Sequence, residues 1–343
     1  MTVSSAARRS RNQRVGTKLL VHGTRLGALI PVLVLGAMVA VLLIEALPAI
    51  RYNGWGFFTG SLWQGGNPYG TPTHAGGVYH LPGAKYGAWP LISGTLESSA
   101  LALVVGFPIA VGAAILLVEK LPRRPAAVIG LFLEILAGIP SAVIGIWGIF
   151  TFGPWLAKHI YPALTHMPNV PVLNIFRGVP SSNGEGLLTG GLVLAAMILP
   201  IIAATSRDLL LQVPDTTKEA AVALGMTSTE AFWAVQARWV RSGVIGAAVL
   251  GLGRALGETI AIALVSGGVQ QVATNIYSPM STIAATIVLQ LSSAQGDPTG
   301  LAVKVLAEAA LVLLAITLVV NVIARQIVRR AAKGAALPLG AGF

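Results

Sequence analysis

Two charged side chains stand where charge is costly. Arg254 and Glu258 occur in Gly251-Leu252-Gly253-Arg254-Ala255-Leu256-Gly257-Glu258-Thr259, inside an otherwise apolar stretch running over about 243–265. Four residues apart, they share a helix face and can pair. An ionisable group within a membrane helix ordinarily faces protein or water and marks a pathway. A guanidinium offers planar donors that match two oxygens of a phosphate at once. Glu258 either holds Arg254 in place or accepts a hydrogen bond from a protonated anion. The competing reading is a self-neutralising pair that only locks helices together. Thr259 follows directly and joins the two as a candidate pathway residue. Gly253 and Gly257 form a G-x-x-x-G step, which lets a second helix pack closely.

A second group of residues lies in a charged segment of about 207–242. It reads Pro214-Asp215-Thr216-Thr217-Lys218-Glu219-Ala220-Ala221-Val222-Ala223-Leu224-Gly225. Asp215 suits the N-cap of a helix after Pro214, and Gly225 suits its stop. Thr227-Ser228-Thr229-Glu230 then fits a capping box. The pattern predicts a short helix, a glycine turn and a second helix leading into an apolar span. Ala220, Ala221 and Ala223 permit close approach of another surface. Lys218 and Glu219 offer charges at the rim, and Leu224 offers an apolar knob for a groove. Such a helix either docks on a partner or rests on lipid headgroups.

The elements that must position these groups are membrane spans. Of 343 residues, 55% are hydrophobic and 10% charged, and the mean hydropathy is +0.77, whereas soluble domains are about a quarter charged. Apolar runs near the ~20 residues that cross a bilayer recur along the chain. They fall at about 26–47, 92–118, 126–150, 187–204, 243–265 and 305–324. The fold class is therefore all-α integral membrane, with about six transmembrane helices and a short cytoplasmic helix between spans four and five. Pro108, Pro140 and Pro200 fall inside spans, where each removes a backbone donor and tends to kink its helix.

Seventeen Lys and Arg residues flank the spans on one side, in 1–25, 120–124, 207–241 and 325–333; five fall on the other. By the positive-inside rule both termini are cytoplasmic. That distribution also accounts for the net charge of +11 without nucleic acid, because the charges flank spans instead of clustering on one soluble face. The divisions expected are a basic arm over 1–25, a membrane domain over 26–330 and a cytoplasmic tail over 331–343. The first span reads as a retained signal-anchor, since its apolar stretch is longer than a signal peptide's. Trp55, Phe57, Phe58, Trp63 and Trp89 in the first outer loop suit an interfacial belt, with direct substrate contact as the sharper alternative. Glu97 reads as solvated at an outer helix end, and Glu308 as a surface partner of Lys304 four residues earlier. Glu134, six residues before Pro140, is a candidate for helix contacts or gating.

No metal spacing links His22, His74, His80, His159 and His166, and the absence of cysteine removes thiolate sites. No G-x-x-x-x-G-K-[ST] loop occurs, so ATP hydrolysis is not expected in this chain.

Glu219-Ala220-Ala221, with Gly225 four residues later, resembles the EAA loop of ABC-importer permeases. Gly-Arg-Ala-Leu-Gly-Glu-Thr over 253–259, with Leu136-Ala137-Gly138-Ile139-Pro140-Ser141, is similar to phosphate ABC-transporter permeases. Gly54-Trp55-Gly56-Phe57-Phe58-Thr59-Gly60 and the Gly-Thr-Leu run at 94–96 look like the PstC-type subunit rather than PstA. The likeness runs over about 26–330; the basic arm and a 68–81 insert match nothing assigned. The resemblance implies an inner-membrane permease that pairs with a related, PstA-like permease. It implies a dimer of ATP-binding subunits docked through Asp215, Glu219, Ala220, Ala221, Leu224 and Gly225, and an external phosphate-binding protein. ATP–Mg would sit on the partner ATPase, with no cofactor on this chain. Arg254, Glu258 and Thr259 would line the pathway, while Pro140, Ser141 and Glu134 would serve packing or gating. A permease for phosphonate or sulfate, a secondary transporter, and a structural or signalling membrane subunit are the alternatives.

Overall fold

The computed structural model describes residues 3–165 and 178–335. The side chains of the basic arm's cations, of His22 and of Lys333, together with His166, Arg177 and tail residues 336–343, lie outside the described residues. The chain opens with α1 (Val3–Asn53), so the basic arm and the first apolar span form one helix. After α2 (Gly56–Thr59) come two antiparallel ribbons, β1 (Trp63–Gln64) with β4 (Lys85–Tyr86), and β2 (Thr73–Ala75) with β3 (Val78–His80). Ala75 faces Val78 across a turn at Gly76 and Gly77, whose φ angles are +61° and +76°. Two consecutive left-handed residues match the twist of the flanking strands, which explains the glycine pair. The unassigned 68–81 insert therefore contains a hairpin.

The helices that follow are α3 (Trp89–Ile115), α4 (Arg123–Ala137), α5 (Ser141–Trp147), α6 (Gly153–His159), α7 (Tyr161–Thr165), α8 (Leu187–Leu211), α9 (Asp215–Ala223), α10 (Ser228–Ala231), α11 (Ala237–Gly257), α12 (Ile260–Val265), α13 (Ile283–Gln295) and α14 (Leu301–Ala335). Among the described residues five helices are long and apolar enough to cross a membrane: Gly27–Asn53, Trp89–Lys120, Leu187–Leu211, Ser228–Gly257 and Leu301–Ala331. The pair Arg123–Ala137 and Ser141–His159, bent by 95°, makes six when it counts as one span.

That bend corrects the third span, expected as one run over 126–150. Pro140 has no N–H to continue α4; its ψ of 134° turns the chain away, and Ser141 begins a new helix. The fifth span is also displaced. Wider turns at 232–236 join α10 to α11, so the helix starts at Ser228, inside the segment expected to be too polar, and ends at Gly257. The apolar helix α13 was not expected.

α8 is the central helix, buried along most of its length and packed on α3 and α11. Leu194, Ile198 and Ile202 meet Ala102, Ala247, Ala255 and Ile262 in the main core. α1 packs on α14 at the periphery, and its exposed Leu, Ile and Val side chains suit a lipid-facing helix. Phe57 is fully buried and packs with Leu91, Ile283 and Leu301, while the Trp63 indole donates to Gln290 Oε1 at 2.6 Å. These two aromatics belong to the outer core instead of an interfacial belt; Trp55 remains 84% exposed.

The Gly94-Thr95 step has a packing role. A Cβ at Gly94 would collide with the Ser281 carbonyl, so α3 and the segment before α13 approach closely only because glycine is there. The Thr95 hydroxyl accepts from the Ile283 N–H at 3.0 Å and donates to the Leu91 carbonyl at 2.6 Å.

Candidate functional site

α9 is short because both ends are written locally. Asp215 is its first helical residue instead of its N-cap: Pro214 holds that position in an extended conformation and has no side-chain donor or acceptor. The Asp215 carboxylate lies in the first turn, where the helix dipole favours an anion, 3.7 Å from the Lys218 ammonium. At the other end Gly225 has φ +85°. Its N–H donates to the Val222 carbonyl at 2.9 Å, and the Met226 N–H donates to the Ala221 carbonyl at 3.3 Å. This pair of bonds is a Schellman termination, which needs a left-handed residue. The capping box forms: the Glu230 N–H donates to Thr227 Oγ1 at 3.3 Å, and the Thr227 N–H donates to Glu230 Oε2 at 2.8 Å.

The two faces of α9 differ. Ala221 is buried, and α9 packs on 232–236, so Ala221 belongs to the inner face and not to the surface open for approach. Glu219 and Ala220 are exposed, and Leu224 is 81% exposed. Beneath α9, buried Ala114, Leu210, Val213, Phe232 and Val240 form one cluster that joins α3, α8 and the helix running on to Gly257.

At the far end of α11, Arg254 and Glu258 do not form the pair that their spacing allows. The helix stops at Gly257, and Glu258 adopts an extended backbone with φ −68° and ψ 131°. Its Oε1 accepts from the Ala261 N–H at 3.3 Å, at the start of α12. The carboxylate thus serves an orphan helix-start donor and leaves the helix face it would have shared with Arg254. Thr259 Oγ1 donates to the Gly257 carbonyl at 3.1 Å across the break. Arg254 is exposed and carries no ion pair or hydrogen bond among the described residues. Facing hydrocarbon, such a group costs about 2.5–3.5 kcal/mol or more; its side therefore calls for water or protein. A Cβ at Gly253 or Gly257 would meet nothing within 4 Å. Among the described residues no atom lies close enough to meet a side chain at either glycine of the G-x-x-x-G step. Gly253 and Arg254 instead line a cleft between α11 and α14.

Glu134 pairs with Arg207 of α8 at 3.5 Å. Arg207 also reaches Asp208 at 3.7 Å, and its guanidinium lies where a Cβ at Gly130 would be. Glu308 is 3% exposed and accepts from Asn53 Nδ2 at 2.8 Å, so it is a buried tie to α1 and not a surface partner of Lys304. Nothing in the sequence near either residue signals that contact.

A family model described as the binding-protein-dependent transport system inner membrane component matches residues 106–333. The phosphate transport system permease protein PstC 1 of Mycobacterium tuberculosis is 57% identical over 320 residues, covering 93% of this chain and 94% of that protein. The chain belongs to the PstC permease family. A second PstC permease, from Mesorhizobium japonicum, is 37% identical over 317 residues, with coverages of 92% and 90%. The PstC-family chain is thus a multi-pass inner-membrane component. The matched region of this PstC-family permease includes the bent third span, α9 and the α11–α12 break.

Proposed function

We infer that this chain is one of two membrane-spanning halves of an ATP-driven phosphate importer, with ATP–Mg bound and hydrolysed on separate subunits. The observation that carries the reading is its kinship, along nearly the whole chain, with proteins named phosphate transport permeases. A PstA-like permease completes the pathway, two ATPase copies dock below, and an external phosphate-binding protein delivers the anion. No cofactor sits on this chain.

Coupling follows from the placement of α9. Exposed Glu219, Ala220 and Leu224 are the surface offered to a cleft of the ATPase. The inner face, through Ala221, stands on 232–236, which are part of the same helix as Arg254. Closure of the ATPases displaces α9, and that helix transmits the movement toward the pathway. The breaks at Pro140 and Glu258 supply hinges where spans change direction. Arg254 draws the anion by charge and by its planar donors; Glu258, held on α12, and Thr259 stand beside it at the break.

Labelled-phosphate uptake at micromolar phosphate tests the reading, in cells carrying the chain intact, deleted, or as Arg254→Gln or Glu219→Lys. Deletion removes energy-dependent uptake that unlabelled phosphate competes for and sulfate and phosphonate do not. Both substitutions lower uptake by about tenfold or more, the size of losing one charge-assisted contact. Uptake that survives deletion in a strain without a redundant system, or that sulfate or phosphonate competes away, overturns the substrate.

A further inference from the structure

The cleft that Arg254 lines has a second cation. Arg325 and Asn321, one turn apart on α14, line it together with Arg254 of α11, and the cleft measures about 610 Å³. Gly246, Leu250 and Gly253 of α11 complete the floor, and no Asp or Glu is among the lining residues. Arg325, like Arg254, is exposed and has no ion pair or hydrogen bond among the described residues. Arg254 lies within an apolar helix long enough to cross the membrane, and Arg325 lies near the end of such a helix, in Leu301–Ala331. Two unpaired guanidiniums sharing one cleft repel each other, and Arg254 lacks the partner that a cation in a membrane span ordinarily finds. An anion between them relieves both. Gly246 and Gly253 keep the floor open: a Cβ at either would meet nothing within 4 Å.

We propose that Arg325 and Asn321 of α14 join Arg254 of α11 in a binding site for a phosphate group, with the guanidiniums clamping oxygens from two sides. Asn321 adds a neutral amide that donates to an oxygen or accepts from a protonated one. The proposal rests on the phosphate-importer reading only for the identity of the free anion. The shared chemistry admits two sources, inorganic phosphate in transit and the headgroup of an anionic lipid.

The test uses the complete importer in vesicles of phosphatidylcholine alone or with phosphatidylglycerol, with labelled inorganic phosphate as probe. R325Q, R325K, N321A and the unaltered complex are compared by half-saturating concentration and by maximum rate. R325Q raises the half-saturating phosphate concentration about tenfold, and more than it lowers the maximum rate; R325K, which keeps the charge without the planar fork, falls between. The same effect in both vesicle compositions assigns the site to inorganic phosphate. An effect confined to vesicles with phosphatidylglycerol assigns it to the lipid headgroup. R325Q and N321A indistinguishable from the unaltered complex in both compositions overturn the site. Failure of the unaltered complex to transport phosphate, with transport of another anion, instead overturns the importer reading.

Discussion

Glu308 of α14 and Asn53 of α1 meet at 2.8 Å in the buried outer part of the bundle. Removing one member leaves a buried polar group unsatisfied, whereas replacing both by apolar groups of similar shape removes the demand. Asn53→Leu therefore destabilises the protein by about 1–3 kcal/mol, while Asn53→Leu with Glu308→Leu recovers most of that loss. Thermal unfolding in detergent, run as a double-mutant cycle, measures it; equal losses in the single and double variants would sink the idea. Gly94 is a second single-residue constraint. A Cβ there would press on the Ser281 backbone carbonyl, which cannot swing aside as a side chain can. Gly94→Ala costs about 1–3 kcal/mol by overpacking, read as a lower unfolding temperature of the purified chain.

At the scale of elements, α9 lets folding and the proposed coupling be tested separately. Gly225 carries the left-handed turn that ends it, and a Cβ in that conformation costs about 1–2 kcal/mol. Gly225→Ala therefore frays the helix end and lowers uptake while the membrane spans remain folded, a difference seen by comparing transport with thermal unfolding. Leu224 has the opposite signature. It is 81% exposed, so Leu224→Asp leaves the chain's own stability within about 0.5 kcal/mol, as surface changes usually do, yet releases the ATPase. Co-purification of the two subunits decides the matter: an ATPase that stays bound to the aspartate variant would show that docking occurs elsewhere.

For the whole molecule, the arrangement across the bilayer is open to a direct test, because the chain has no cysteine. The distribution of Lys and Arg places α9 on the cytoplasmic side and the hairpin of β2 and β3 outside. Tyr69, near that hairpin, is 96% exposed. In sealed vesicles with the cytoplasmic face inside, a membrane-impermeant maleimide labels Tyr69→Cys at once and Leu224→Cys only after the membrane is opened. Labelling of both before opening, or in the reverse order, contradicts the orientation.

Hydropathy alone made the chain a bundle of membrane-crossing helices, because lipid leaves an isolated chain no spanning structure except helices that satisfy their own backbone. The glycine stop of α9 and the capping box at Thr227 were also legible, and Pro140 marked a kink although not a 95° break, since each depends on bonds within a few residues. Glu258 shows where local reading becomes ambiguous. Spacing suggested that it holds Arg254 or meets a protonated anion, and the break after Gly257 turned it to the Ala261 N–H instead. The Asn53–Glu308 contact joins residues 255 positions apart, and the Glu134–Arg207 pair joins α4 to α8. The cleft beside Arg254 needs α14 to lie against α11. No pattern along the chain encodes those partners; only the packing of one helix on another brings them together.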